Sequence, residues 1–199
     1  MNGKQLKNSI LQWAIQGKLV PQDPNDEPAS VLLERIRAEK ARLVKEKKIK
    51  KDKNESIIYR GEDNSYYEKF LATREVKCID EEIPFEIPAT WEWCRLLSIV
   101  SLLGDGIHGT PEYSEGGSVY FINGNNLFDG QILIKPDTKT VSKEEAVKHS
   151  RLLNESTVLV SINGTIGNIA FYSGENVILG KSACYFNLLN GIERKYIKI

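Results

Sequence analysis

The stretch "SGENVILGKSACYF", Ser173 to Phe186, decides between two kinds of fold. Its Gly180-Lys181-Ser182 matches the end of a phosphate-binding P-loop. Such a loop puts four residues between its first Gly and the Gly-Lys-Ser, and a helix begins at the Lys so that backbone N–H groups meet the phosphates. Here five residues, Glu175 to Leu179, separate Gly174 from Gly180. Val177-Ile178-Leu179 before the triplet and "ACYFNLL" after it read as strands. Spacing and context both argue against nucleotide hydrolysis. They predict a β-rich domain in which Gly-Lys-Ser joins two strands.

Working outward, the same pattern continues. "SVYFI", "GQILI", "TVLVSI", "NIAFYS" and "NVIL" are short apolar runs bounded by Gly and Asn turns. One helical stretch, Lys143 to His149, interrupts them and is capped by Ser142. The compositional break lies at about residue 84, where the Pro- and Trp-rich "IPFEIPATWEWCRLLSIVSLL" begins.

The N-terminal part is different. Residues 4–16 predict a helix, with Leu6, Ile10, Trp13 and Ala14 on one face and Gly17 as its left-handed cap. "PQDPNDEP" is a turn-rich connector. A second helix is expected from about Pro28 to Lys48, with a narrow stripe of Leu32 or Leu33, Ile36 and Leu43. So thin a stripe needs another helix to lie against, which predicts a helical hairpin. The fold class expected is α+β: a helical arm over 1–50, a linker over 51–83 with a short helix at "SYYEKFLA", and a mixed β-rich domain over 84–199.

The 199 residues suit one domain plus an appendage, and 41% hydrophobic content is enough for a core. Lys+Arg and Asp+Glu balance at 27 each, so a globally basic nucleic-acid binder is not indicated. Charge is uneven, however: between Glu34 and Lys53 ten basic residues face four acidic ones. That surplus is either an anion-facing surface or a solvated helix face. Cys78, Cys94 and Cys184 are scattered, which suits free thiols in the cytoplasm. Two histidines and no CxxC pair make no zinc constellation, and no metal or cofactor is expected. Neither a signal peptide nor a membrane-length apolar run is seen.

"GDGIHG", Gly104 to Gly109, fits the dinucleotide fingerprint in letters, but Gly116-Gly117 would stop the helix that fingerprint requires. Pro136-Asp137 with Glu193-Arg194-Lys195 loosely matches a metal-nuclease set, yet Asp137 sits in a turn sequence. Methyltransferase signatures are missing. What remains is four loops rich in short polar side chains: 104–111, 123–126, 162–168 and 180–182. Such side chains read base edges and hold phosphates, and they also make ordinary turns.

Taken together, the segments resemble the specificity subunit of type I restriction–modification systems. "LKNSILQWAIQGKLVPQDPNDEPASVLLERIRAEKARLVKEKKIKK" is similar to that family's helical region, and "IPATWEWCRL" to the start of a target recognition domain. "DGIHGTPEY", "YFINGNNL", "VLVSINGTIGNIAFY" and "VILGKSACYF" resemble its internal motif series. The resemblance implies a subunit with no active site. Its two recognition domains each read half of a bipartite site in double-stranded DNA. Its helices set the spacing and dock modification subunits, which methylate adenine with S-adenosylmethionine, and restriction subunits join to cleave unmodified DNA. This chain has one helical region and one recognition domain where the family has two of each, so a fragment, or pairing with a second half-subunit, is expected.

The resemblance also sorts the residues. Side chains shared by members that read different sequences are not the base readers, so Gly106, Thr110, Pro111, Gly164, Thr165 and Gly167 are expected to shape loops, with phosphate contacts from Thr110 and Thr165. His108, Asn123, Asn125, Asn126, Asn163, Lys181 and Ser182 are the DNA-touching candidates. Trp91 and Trp93 are expected in the core, with base stacking as the alternative. Arg35, Arg42, Lys45, Lys47, Lys48, Lys50 and Lys51 face phosphates or a partner subunit. The competing reading is a module that reads no DNA and docks a partner through its basic arm.

Overall fold

A computed structural model describes residues 2–198, and the chain divides into two compact units at Ile99/Val100. The first unit opens with helix α1 (Gly3–Ile15). Asn2 starts it with a reciprocal cap: its side chain accepts from Gln5 N, and Gln5 accepts from Asn2 N, each at 2.9 Å. Gly17 ends it at φ +66°, while Lys18 N donates to Trp13 O at 2.8 Å. A Cβ at Gly17 would lie 2.5 Å from Pro88 Cγ. Gly17→Ala is therefore expected to loosen this end by about 1–2 kcal/mol from backbone strain alone. Hydrogen exchange of the last turn of α1 reads this, and unchanged protection would show that the turn is not docked.

α1 buries none of its residues, and Trp13 is 53% exposed. Helix α2 (Ala29–Lys45) does bury a face, though not against a helix. Ile36 and Lys40, one turn apart, point into the unit near the 3₁₀ turn Leu96–Ser98. Lys40 Nζ donates to Leu97 O and lies 4.0 Å from Asp52. The need for a helical partner to cover the α2 stripe is thus met by the unit's own chain.

The expected linker is in fact folded. Strands β1 (Ser56–Arg60), β2 (Tyr66–Phe70) and β3 (Val76–Cys78) form an antiparallel sheet in that order. "SYYEKFLA" is a strand and turn rather than a helix. At the centre of β2 the Glu68 carboxylate is buried, 4% exposed, and binds the Arg95 guanidinium in a fork and Ser56 Oγ. Residues 84–99 belong to this unit, not to the β-rich one as the compositional break suggested. Trp91 and Trp93 are half-buried here; Trp91 Nε1 donates to Gln22, and Trp93 packs on Phe85 with ring centres 5.2 Å apart.

The second unit holds β4 (Val100–Asp105), β5 (Val119–Ile122), β6 (Leu127–Phe128), β7 (Gln131–Ile132) and β8 (Thr140–Val141). Helix α3 (Lys143–Lys148) follows, then β9 (Thr157–Ser161), β10 (Ile169–Phe171), β11 (Val177–Leu179) and β12 (Ala183–Leu188). An antiparallel sheet runs β10-β9-β12-β4, and a mixed one runs β11-β5-β8 with β11 parallel to β5. Leu159, Leu179, Ile122, Leu127, Ala183 and Tyr185 fill the core between them. Ser142 caps α3 by accepting from Glu145 N. The mixed α+β class is as expected, and each of the six apolar runs read as strands contains one, though in "GQILI" only Gln131–Ile132 is strand. The stretch ending in Gly104-Asp105 is the end of β4, with no helix after it, so no dinucleotide fingerprint exists there.

Candidate functional site

The Gly180-Lys181-Ser182 connection between β11 and β12 is where the polar loops meet. Ala183 N donates to Gly180 O at 3.0 Å and closes a tight turn. Gly180 N donates to Ile122 O (2.8 Å), Ile107 N to Leu179 O (2.7 Å) and Gly106 N to Ala183 O (3.0 Å). Ile162 N donates to Ser182 O at 3.0 Å. Ser182 Oγ accepts from Gly124 N at 2.9 Å and donates to Asn123 Oδ1 at 3.0 Å. All four loops singled out in the sequence therefore hang on one turn. The Gly180 N–H is spent inside the fold, and a strand follows the triplet, not a helix.

Several predicted DNA-touching residues turn out to build this hub. Asn126 is only 5% exposed; its Oδ1 accepts from Asn123 N, and its Nδ2 donates to Leu133 O and Thr138 Oγ1. A buried amide with both ends paired is part of the scaffold, and Asn126 forms part of the wall of the pocket described below. Asn123 and Ser182 are half-buried and bonded to each other. Thr165 is exposed but donates to Gly124 O, tying the 162–168 loop to the 123–126 loop.

The others stay outside. Thr110, Asn125, Asn163 and Lys181 are exposed, and the His108 side chain is 78% exposed, 3.6 Å from Asp105. Asn125, Asn163 and Lys181 sit on loops that meet at the hub. The 104–109 segment is bonded to the same turn through Gly106 and Ile107 and leads to Thr110.

A pocket beside the hub escaped the sequence reading. Tyr113, Phe121, Asn123, Asn125, Lys135, Asp137, Thr138 and Lys139 line about 140 Å³. The Tyr113 and Phe121 rings pack at 5.9 Å, and Phe121 also abuts Gly180. Tyr113 is held by pairing with Val141 of β8, and its neighbour Glu112 donates its N–H to buried Glu145 at 3.0 Å. Lys148, then the Glu112 N–H, pull the Glu145 carboxyl down to about 2, so this anchor is charged at any ordinary pH. A signal was present in "KPDTK": three charges around a Pro turn, next to "NGNN" only after folding.

The basic arm lies in the first unit. Its acids take up part of its charge: Arg35 forks onto Glu27, Arg42 binds Glu39 and Glu46, and Lys48 binds Glu46 at 2.8 Å. Arg42 holds the Glu39 carboxyl below its usual range. Lys45, Lys47, Lys50 and Lys51 are exposed and have no ion-pair partner among the described residues.

No protein-family model matches the chain. The type I restriction enzyme EcoAI specificity subunit of Escherichia coli is 35% identical over 98% of this chain. Along nearly its whole length this chain is similar to part of a type I restriction specificity subunit. The EcoEI specificity subunit of the same organism is 34% identical over 80% of the chain. The chain spans 31% and 24% of the length of these two relatives. No helix among the described residues is long and apolar enough to cross a membrane.

Proposed function

We propose that the chain is a DNA sequence-recognition module of a type I restriction–modification complex in the cytoplasm. The observation that carries this reading is the convergence of four polar loops on the Gly180–Ser182 turn, in a chain a third identical to specificity subunits. A rigid scaffold presenting exposed amide, hydroxyl, imidazole and ammonium groups suits contact with bases and phosphates of a duplex. The second unit is the reader, and His108, Thr110, Asn125, Asn163, Thr165 and Lys181 are its contact candidates. Helices α1 and α2 form the arm that docks modification subunits, with Lys45, Lys47, Lys50 and Lys51 facing that partner or phosphate. Those subunits methylate adenine with S-adenosylmethionine, and a restriction subunit cleaves unmodified DNA. A second recognition domain, on the same protein or on a paired half-subunit, supplies the other half-site.

Selection from a randomised duplex pool tests this, using the protein together with its modification subunit. A short enriched half-site supports the reading. Lys181→Ala is expected to weaken binding to all sequences alike and to lower the salt slope by about one, as loss of one phosphate contact does. An unchanged slope would remove Lys181 from the interface. The exposed apolar face of α1, with Leu6 and Trp13 half in solvent, favours partner docking as well. If no DNA is retained while the modification subunit still binds, docking is the whole function.

A further inference from the structure

Asp137 lies in the pocket beside the hub, between Lys135 and Lys139 in sequence, and its carboxylate has no hydrogen-bond or ion-pair partner among the described residues. The pocket around it is fixed. Asn126 ties its wall to Leu133 and Thr138, Thr138 Oγ1 accepts from Lys135 N at 2.9 Å, and Lys135 Nζ donates to Asn125 O at 2.8 Å. Asn125 is exposed, and its side-chain amide has no partner among the described residues; the same holds for Lys139 Nζ.

A lone carboxylate at a surface meant for a polyanion is repelled by phosphate, so it weakens unspecific binding. It becomes favourable only where a base offers a donor. In the major groove, that donor is the exocyclic amino group of cytosine (N4) or adenine (N6); guanine O6/N7 and thymine O4 offer only acceptors. Lysines on either side offset the carboxylate's repulsion. The Tyr113 ring supplies an apolar wall against which a base edge can rest.

We propose that this pocket is the base-discriminating element of the reader: Asp137 accepts a hydrogen bond from the exocyclic amino group of a cytosine or adenine, while Lys139 holds a neighbouring phosphate. The inference rests on the DNA-recognition reading above and adds to it the group that chooses the base.

The test is the same duplex selection, run on the wild type, Asp137→Asn and Lys139→Ala in the assembled complex. Both side chains are exposed, so the variants should melt like the wild type. Asp137→Asn is expected to lose about tenfold of discrimination at one position of the half-site, where the wild type demands cytosine or adenine. Its affinity for unrelated duplexes should rise. Lys139→Ala is expected to keep the preferred sequence and lose about one unit of salt slope. If the wild type selects a half-site and Asp137→Asn selects the same one with equal stringency, the proposal is overturned while the recognition reading stands. If the wild type itself selects nothing, the recognition reading fails and the proposal goes with it.

Discussion

Arg95→Met is expected to destabilise the first unit by about 3–5 kcal/mol. The reason is the asymmetry of the pair. Arg95 keeps over a third of its side chain in water and also binds Glu82 at 2.8 Å, whereas the Glu68 side chain is 5% exposed. Removing the arginine strands a buried charge with Ser56 Oγ alone. Removing the carboxylate, as in Glu68→Gln, leaves Arg95 with Glu82 and solvent, and should cost about 1–3 kcal/mol. Urea melts at neutral pH compare the two, and equal costs would sink the asymmetry.

The pH dependence follows from the same geometry. Arg95 holds the Glu68 carboxyl below its ordinary value, against burial that pushes it up. A depressed carboxyl contributes stability that is complete above the unfolded-state value of about 4.3 and is lost as pH falls through the lower folded value. In Arg95→Met only Ser56 and the charge of Lys77 still oppose the push from burial, so that protein loses less stability than the wild type as Glu68 protonates. The gap between wild type and variant should be widest near pH 7 and narrow below about pH 4. A gap that stays constant into acid would mean that Glu68 does not carry the effect.

This pair also explains what the sequence hid. Strand β2 points a glutamate inward and leaves Lys69 exposed, so its polar pattern does not mark the buried face. With Glu, Lys, Leu and Ala in "SYYEKFLA", intrinsic propensity then favours a helix. Lys40 misleads in the same way: it counts among the ten basic residues of the arm, yet its ammonium is buried on Leu97 O. In the second unit no buried charge interrupts the strands. Runs such as "TVLVS" and "VIL" meet Gly and Asn at their ends, and there the pattern and the fold agree. The polar loops could be named from composition, but their meeting place could not. It depends on β11 pairing parallel to β5 and β12 lying between β9 and β4, where Leu188 pairs with Val100 far earlier in the chain. For the same reason, composition could not separate Asn125, outside, from Asn126, inside.

Gly106→Ala should disable the whole hub at once. A Cβ there would lie 2.1 Å from Gly180 O and 2.5 Å from both Gly180 C and Leu179 O. These are backbone atoms, so no side chain can swing aside. Relief requires the 104–109 segment to leave the Gly180 turn, which breaks the bonds from Ile107 N to Leu179 O and from Gly106 N to Ala183 O. Gly106 and Ile107 are buried, so two amides lose their partners away from water. A loss of at least about 3 kcal/mol is expected. If the DNA reading holds, its consequence differs in kind from that of Lys181→Ala, which removes one charge and leaves every loop in place. Gly106→Ala displaces the turn that also carries the 123–126 and 162–168 loops, so affinity and sequence preference should fall together. Thermal melts and duplex selection on the two variants separate the cases. A Gly106→Ala protein that melts like the wild type and selects the same half-site would mean that the four loops do not depend on one turn.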